Sequence, residues 1–271
     1  MWSPDPASFI ARGASAEVYR RDGGRVLKLF HAGIDPVTVS REYAIARTLE
    51  ATGLPAPRAL GRETIKGREG ILYTQIEGRD LFAHIRGHPM RLAWAMQAMA
   101  EAQRDIHAQL APALRSRKGS LAADIGASDI NPALQRAAID RLDLLHEGER
   151  LSHGDLHPEN LIVTGEGLVV IDWSKAARAA PAADVVRTEM LLRFGPGPAS
   201  HPWIDRARDL IAMDYVRRYR ALTGMGREAL TAWRALVALA WLRHRAPGRD
   251  ADFARYLARA SAAAGLPPLR G

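Results

Sequence analysis

The chain has 271 residues, 47% of them hydrophobic and 25% charged, and no cysteine. That length and apolar content suffice for one globular domain or two lobes, and the absence of cysteine excludes disulfides, thiolate metal sites and cysteine nucleophiles. The formal net charge is +8, but the basic residues are spread along the chain and all but four of the 38 are arginine, so the charge reads as a diffusely basic surface attracting anions such as nucleotides, and no nucleic-acid partner is expected.

The start, MWSPDPASF, has no charged stretch followed by an apolar one, and the most apolar run, Ala235 to Leu242, is too short for a bilayer, so a soluble cytoplasmic protein without a membrane partner is expected. Residues 1 to 78 read as a small β-rich lobe. Ser8 to Ala11 and Glu17 to Arg20 are strand-like and flank a loop holding Gly13 and Ser15. Asp22-Gly23-Gly24 is a hairpin turn leading into Arg25 to Phe30, where the alternation V-L-K-L-F places the scarce lysine Lys28 in a strand. Val37 to Glu50 has helical spacing in Val39, Tyr43, Ile45, Ala46 and Leu49. Arg58 to Arg62 and Gly70 to Ile76 are further strands around a Lys66-Gly67 turn, and at Gln75-Ile76-Glu77-Gly78 the pattern changes from strands to helices.

Residues 79 to 271 read as mainly helical. Leu92 to Gln109 carries an apolar stripe and ends near His107, read as a packing or capping histidine. Arg115 to Ser128 is polar and glycine-containing and reads as loop, and Pro132 to His146 as helix. Pro181 to Leu192, Trp203 to Leu222, Arg227 to His244 and Asp252 to Ala264 are helical, with a Gly/Pro-rich surface loop from Phe194 to Pro202.

The chemistry concentrates in Leu151 to Trp173, LSHGDLHPENLIVTGEGLVVIDW. Leu161 to Val163 and Leu168 to Ile171 are short β-branched runs joined by Thr164-Gly165-Glu166-Gly167, a hairpin pattern. A hairpin brings its two ends together, so Asn160 before it and Asp172 after it should lie side by side. Both offer hard oxygen ligands of the kind Mg2+ takes alongside phosphate oxygens and water. Asp155, five residues upstream, is the candidate base for a hydroxyl substrate.

HGDLHPEN resembles the protein-kinase catalytic loop H-R-D-L-K-P-E-N, and more closely the H-G-D-x-H-x-x-N form of the aminoglycoside phosphotransferase and choline kinase-like family; IDW stands where kinases carry D-F-G. The resemblance implies an α+β, two-lobed protein-kinase-like fold, with a small antiparallel β-rich N-lobe carrying one helix and a larger helical C-lobe. It also implies ATP and Mg2+ as cofactors. Asp155 would orient and deprotonate the acceptor hydroxyl, and Asn160 and Asp172 would hold Mg2+. The loop at Gly13 and Ser15 would cover the nucleotide phosphates, Lys28 would bind them and pair with Glu42, with Glu50 as the other candidate partner. The hinge backbone at Gln75, Ile76 and Glu77 would meet the adenine, while His153 and Asp184 would support the catalytic loop.

Gly154 replaces the arginine that in many protein kinases receives an activation-loop phosphate, and only eleven residues separate Asp172 from Asp184. A phosphorylated activation loop has no room there, so the expected acceptor is a hydroxyl of a small molecule: an aminoglycoside, amino alcohol, sugar or similar. A protein kinase and a non-catalytic nucleotide-binding module are the alternatives. The stretch Ser116 to Asn131 is expected to shape the acceptor pocket. Residues 80 to 271 carry 26 Lys+Arg against 21 Asp+Glu, a balance that disfavours a polycationic aminoglycoside unless local acids such as Asp124 and Asp129 reverse it.

Overall fold

The computed structural model describes residues 4–195, 202–243 and 249–268. The chain forms two compact units, Met1–His84 with Glu159–Ser174, and Ile85–Pro158 with Lys175–Gly271. It therefore enters the second unit once, returns to the first for the 161–170 hairpin and leaves again.

In the first unit, β1 (Phe9–Arg12), β2 (Ala16–Arg21), β3 (Arg25–Phe30), β4 (Ala59–Ile65) and β5 (Arg68–Thr74) form an antiparallel sheet in the order β1-β2-β3-β5-β4. The expected turns close it. Gly23 and Gly24 take positive φ between β2 and β3, and Lys66 and Gly67 do so between β4 and β5, the left-handed geometry that matches tight connections to strand twist. The single helix of the sheet region, α1 (Pro36–Glu50), begins with Asp35 accepting the Val37 N–H and Pro36 in its first turn, where the missing proline donor costs nothing. Its Val39 and Ala46 pack with Phe30, Ala59 and Ile71 on one face of the sheet. Tyr19, Leu27, Leu29, Ile65 and Leu72 form a second apolar cluster.

The strand pair β8 (Leu161–Thr164) and β9 (Gly167–Val170) belongs to this unit because β6 (Arg79–Asp80) pairs with β8 and the Val170 N–H donates to the Pro55 carbonyl at 2.9 Å. Gly78, at φ 149°, leads into β6 with its Cα so close to the Val163 carbonyl that a Cβ would overlap it. Between β6 and the helices runs α2 (Leu81–Gly87).

The second unit packs α3 (Leu92–Ala108) on α7 (Pro202–Thr223), α6 (Pro181–Phe194) on α7 and α8 (Arg227–Trp241), and α8 against α9 (Asp250–Ala263). Two short antiparallel strands, β7 (Arg150–Ser152) and β10 (Ala177–Ala179), lie before and after the HGDLHPEN sequence. One expectation is overturned: Arg115 to Ser128 is not a loop but carries α4 (Arg117–Gly126), which is followed by α5 (Pro132–Asp143). The polar composition hid two anchors. Ser116 caps the helix by accepting the Gly119 N–H at 2.8 Å, and Leu121 and Ile125, one turn apart, are buried where α4 packs on α5 and α8. The remaining helices match to within a few residues. The loop expected from Phe194 to Pro202 falls largely outside the described residues, as does the expected helix end at His244. Among the described residues no helix is long and apolar enough to cross a membrane.

Candidate active site

In the first unit the site starts from the two-residue period of β3. Leu27 and Leu29 enter one apolar cluster, while Phe30, two residues on from Lys28, packs with α1, so Lys28 faces the helix. There its Nζ donates to Glu42 Oε1 at 2.7 Å and to Asp172 Oδ1 at 3.1 Å. The Lys28 and Glu42 side chains are only 16% and 6% exposed. Burial by itself would lower the Lys28 pKa, but Asp172 and Glu42 outweigh it and hold the ammonium above the ordinary lysine value. Tyr73 on β5 donates its hydroxyl to Glu42 at 3.2 Å and so fixes the carboxylate from the sheet side. The alternative partner, Glu50, instead pairs with Arg47 on its own helix.

The hairpin does to Asn160 and Asp172 what its pattern demanded. Leu161 pairs with Val170, and beyond them the Ile171 N–H donates to the Asn160 carbonyl at 3.0 Å, which puts residues 160 and 172 at the same open end. Asp172 adopts φ 55°, a left-handed conformation uncommon outside glycine, asparagine and aspartate and frequent at functional turns. An amide and a carboxylate at one hairpin end fit a Mg2+ ion that takes its other ligands from phosphates and water. Among the described residues there is no group of three or more His, Cys, Asp and Glu of the kind an all-protein metal cage requires.

The remaining nucleotide-binding candidates differ in what their backbones offer. Gly13 donates its N–H to the Ala16 carbonyl at 2.8 Å and so closes the β1–β2 turn, while the Ser15 carbonyl accepts the His31 N–H at 2.9 Å and extends the β2–β3 pairing. At the expected hinge, Gln75 donates its N–H to Gly24 at 2.8 Å, while among the described residues Ile76 and Glu77 make no backbone hydrogen bond.

In the second unit the organising group is Asp184, in the first turn of α6 and 1% exposed. Its Oδ1 accepts the Gly154 N–H at 2.7 Å and its Oδ2 the His153 N–H at 3.1 Å, so one carboxylate holds two consecutive amides of the loop after β7. Gln103 and His107, one turn apart on α3, donate to the same Oδ2 at 3.1 and 3.0 Å. An ionised carboxylate only accepts, so Nε2 of His107 carries the proton in this contact, and Nδ1 meets the Tyr219 hydroxyl at 2.6 Å. Burial would raise the Asp184 carboxyl, but the hydrogen bond and charge of His107, then Arg117 and Gln103, hold it far below the usual carboxylate range.

Asp155 follows on the same loop. Lys175 reaches its Oδ2 at 2.8 Å and Arg187 its Oδ1 at 3.3 Å. These cations outweigh burial and keep the Asp155 carboxyl below its ordinary value. Gly154 takes φ 80°, and the place of a Cβ there is filled by the Arg117 guanidinium, whose Nη2 donates to the Lys175 carbonyl at 2.6 Å.

A family model for the phosphotransferase enzyme family matches residues 6–233. The chain belongs to this family. It is a small-molecule phosphotransferase of protein-kinase-like fold. Solved structures agree with the fold. An aminoglycoside phosphotransferase from Streptomyces rimosus, in complex with ADP and streptomycin, aligns at 21% identity over 88% of this chain and 94% of its own, with a TM-score of 0.60. An aminoglycoside-3'-phosphotransferase of type VIII aligns at 20% identity over 86% and 93%, with a TM-score of 0.63. A choline/ethanolamine kinase family protein from Mesorhizobium loti aligns at 17% over 94% and 87%, with a TM-score of 0.56. No curated protein matches the chain.

Within this phosphotransferase, sequence reasoning passed over Tyr73, Gln103, Arg117, Lys175 and Arg187, and treated His107 as packing or capping. Two signals were available. Lysine scarcity, which drew attention to Lys28, applies equally to Lys175, and the i, i+4 spacing of Gln103 and His107 puts two polar side chains on the apolar face of α3.

Proposed function

We propose that this phosphotransferase moves the γ-phosphoryl group of ATP, with Mg2+, to a hydroxyl of a small molecule. The observation that carries the reading is Lys28, held within the first unit by a glutamate from α1 and by the aspartate that follows the 161–170 hairpin. A lysine fixed by two carboxylates has a defined position and stays charged, as a phosphate-binding lysine requires. The complex of one structural relative with ADP and streptomycin, and the choline/ethanolamine kinase family assignment of another, favour a nucleotide donor and an alcohol acceptor.

In this reading Lys28 binds the nucleotide phosphates and Glu42 and Tyr73 keep it aimed. Ile76 and Glu77 keep backbone groups for a base. Asn160 and Asp172 would hold Mg2+, which when bound neutralises charge on the phosphates. Asp155 accepts the hydrogen bond of the acceptor hydroxyl and takes its proton as the new P–O bond forms. Because Lys175 and Arg187 keep it ionised, it acts chiefly as an orienting acceptor, which suits a loose phosphoryl transfer that asks little of a base early on. Asp184 holds the loop amides that position it.

The test is Asp155→Asn. Turnover should fall by about 10^2- to 10^4-fold, while titration with a non-hydrolysable ATP analogue should change little. Near-normal turnover, or nucleotide binding lost in step with activity, would remove Asp155 from this role. Nucleotide binding without turnover on any acceptor by the unaltered protein would favour a non-catalytic module.

A further inference from the structure

The surroundings of Asp155 within the second unit are more basic than orienting one carboxylate requires. Lys175 and Arg187 each hold one of its oxygens. A third cation, Arg117, lies directly against Gly154 and reaches the Lys175 carbonyl. Arg115 lies near enough to disfavour the charge on Arg117. Besides Asp155 itself, two carboxylates stand against this group, and Asp184 is already committed to two loop amides, Gln103 and His107. Glu147, beside the start of α4, bonds Ser116 and Arg178. Asp124, which could have turned the pocket acidic, is paired with Arg243 at 3.0 Å.

Arg117 stands out in this set. Among the described residues it has no carboxylate within ion-pair distance, and its one side-chain hydrogen bond goes to a backbone carbonyl. Burial pushes its guanidinium down to about 10 against the opposing charges of Asp184 and Asp155, so the fold bears a desolvated cation whose nearest carboxylates are engaged by other groups. A guanidinium has five N–H donors in a planar fork matched to carboxylate and phosphate. Lys175, with a side chain 47% exposed, can swing to meet an incoming group. A positively charged acceptor approaching Asp155 would meet three like charges, whereas a negative one would give Arg117 a direct partner.

We propose that the acceptor hydroxyl is carried by a small anion whose carboxylate or phosphate group pairs with Arg117 and Lys175. This rests on the phosphotransferase reading above and narrows its acceptor to a hydroxy acid or a phosphorylated alcohol. The acceptor oxygen bonds to the γ-phosphorus as the bond from that phosphorus to ADP breaks, and the hydroxyl proton passes to Asp155. The products are ADP and a phosphate monoester that still carries its original anionic group.

The full chain with ATP and Mg2+ is offered hydroxy acids such as sugar acids, sugar phosphates, neutral sugars, and amino alcohols including streptomycin, with ADP release and product mass as readouts. An acid or a phosphate should be the best acceptor, and the two anionic arms separate carboxylate from phosphate. Arg117→Ala should raise KM for that acceptor about 10- to 100-fold, the value of one charge-assisted hydrogen bond, with a smaller change in kcat. Arg117→Lys should recover part of the loss. A neutral or cationic compound as best acceptor, no phosphorylation of any member, or an unchanged KM in Arg117→Ala would each overturn the inference. In those cases ATP-analogue binding tells the two readings apart: retained, it leaves the nucleotide site standing; lost, it strikes the phosphotransferase reading itself. The acceptor ranking uses the unaltered protein, so it decides even if Arg117→Ala fails to fold.

Discussion

Replacing Glu42 by glutamine removes a charge while keeping an acceptor oxygen for Tyr73 and nearly the same volume. Lys28 can still donate to the amide oxygen, but its one remaining charged partner is Asp172, 3.1 Å away with a side chain 44% exposed, and an exposed partner is screened by solvent and holds weakly. The lost ion pair is of another kind, 2.7 Å long between side chains 16% and 6% exposed. A hydrogen bond between charged groups contributes about 1.5–3 kcal/mol, so kcat/KM for ATP in Glu42→Gln should fall about 10- to 150-fold. Lys28→Met, which removes the donor itself, should cost about 10^2- to 10^3-fold. If Glu42 acts by holding Lys28, the double variant should be no worse than Lys28→Met alone, because the second change removes a partner whose ligand has already gone. Steady-state kinetics on the four proteins, with circular dichroism to check folding, measures this. Effects that multiply would refute the reasoning, as would a Glu42→Gln enzyme indistinguishable from the starting protein.

Three further outcomes are expected. Asp172→Ala should abolish Mg2+-dependent nucleotide binding measured by calorimetry, because in the proposed site only Asn160 would remain as a protein ligand, and unchanged binding would move the metal elsewhere. Gly154→Ala should destabilise the protein by about 1–3 kcal/mol in chemical denaturation, since φ 80° is unfavourable to alanine and its Cβ would displace Arg117 and press on the Lys175 carbonyl 2.8 Å away; a stability equal to the parent would contradict that packing. Asp184 ionises far below an unfolded aspartate, so the unfolded state binds the proton first as pH falls. Its contribution is therefore complete above about pH 4, the unfolded value, and is lost as pH drops toward the depressed folded value. Melting curves of the parent and Asp184→Asn should differ most near neutrality and converge below about pH 4, and a gap that widens in acid would reverse the assignment.

Local pattern determined much of this molecule. The strand-turn-strand rhythm of the first 75 residues, the α1 helix with its proline start, and the hairpin that sets Asn160 beside Asp172 all depend on short-range periodicity and turn chemistry, which a sequence displays directly. The strand context of Lys28 was legible for the same reason, whereas its pairing with Glu42 was an expectation implied by the resemblance to a kinase-like lobe, with Glu50 as the other candidate. Other features were decided only by tertiary structure. Helix α4 looked like loop because its stability comes from burying Leu121 and Ile125 against the neighbouring α5 and against α8, more than a hundred residues away, and a polar decapeptide does not advertise such burial. The ring of cations around Asp155 draws on positions 117, 175 and 187, three arginine or lysine residues among 38, and nothing local separates them from the solvated ones. Arg117 fits against Gly154 only because that glycine has no side chain, a steric relation across 37 residues of chain. Electrostatic environment is a sum over spatial neighbours, and sequence order does not state which neighbours those are.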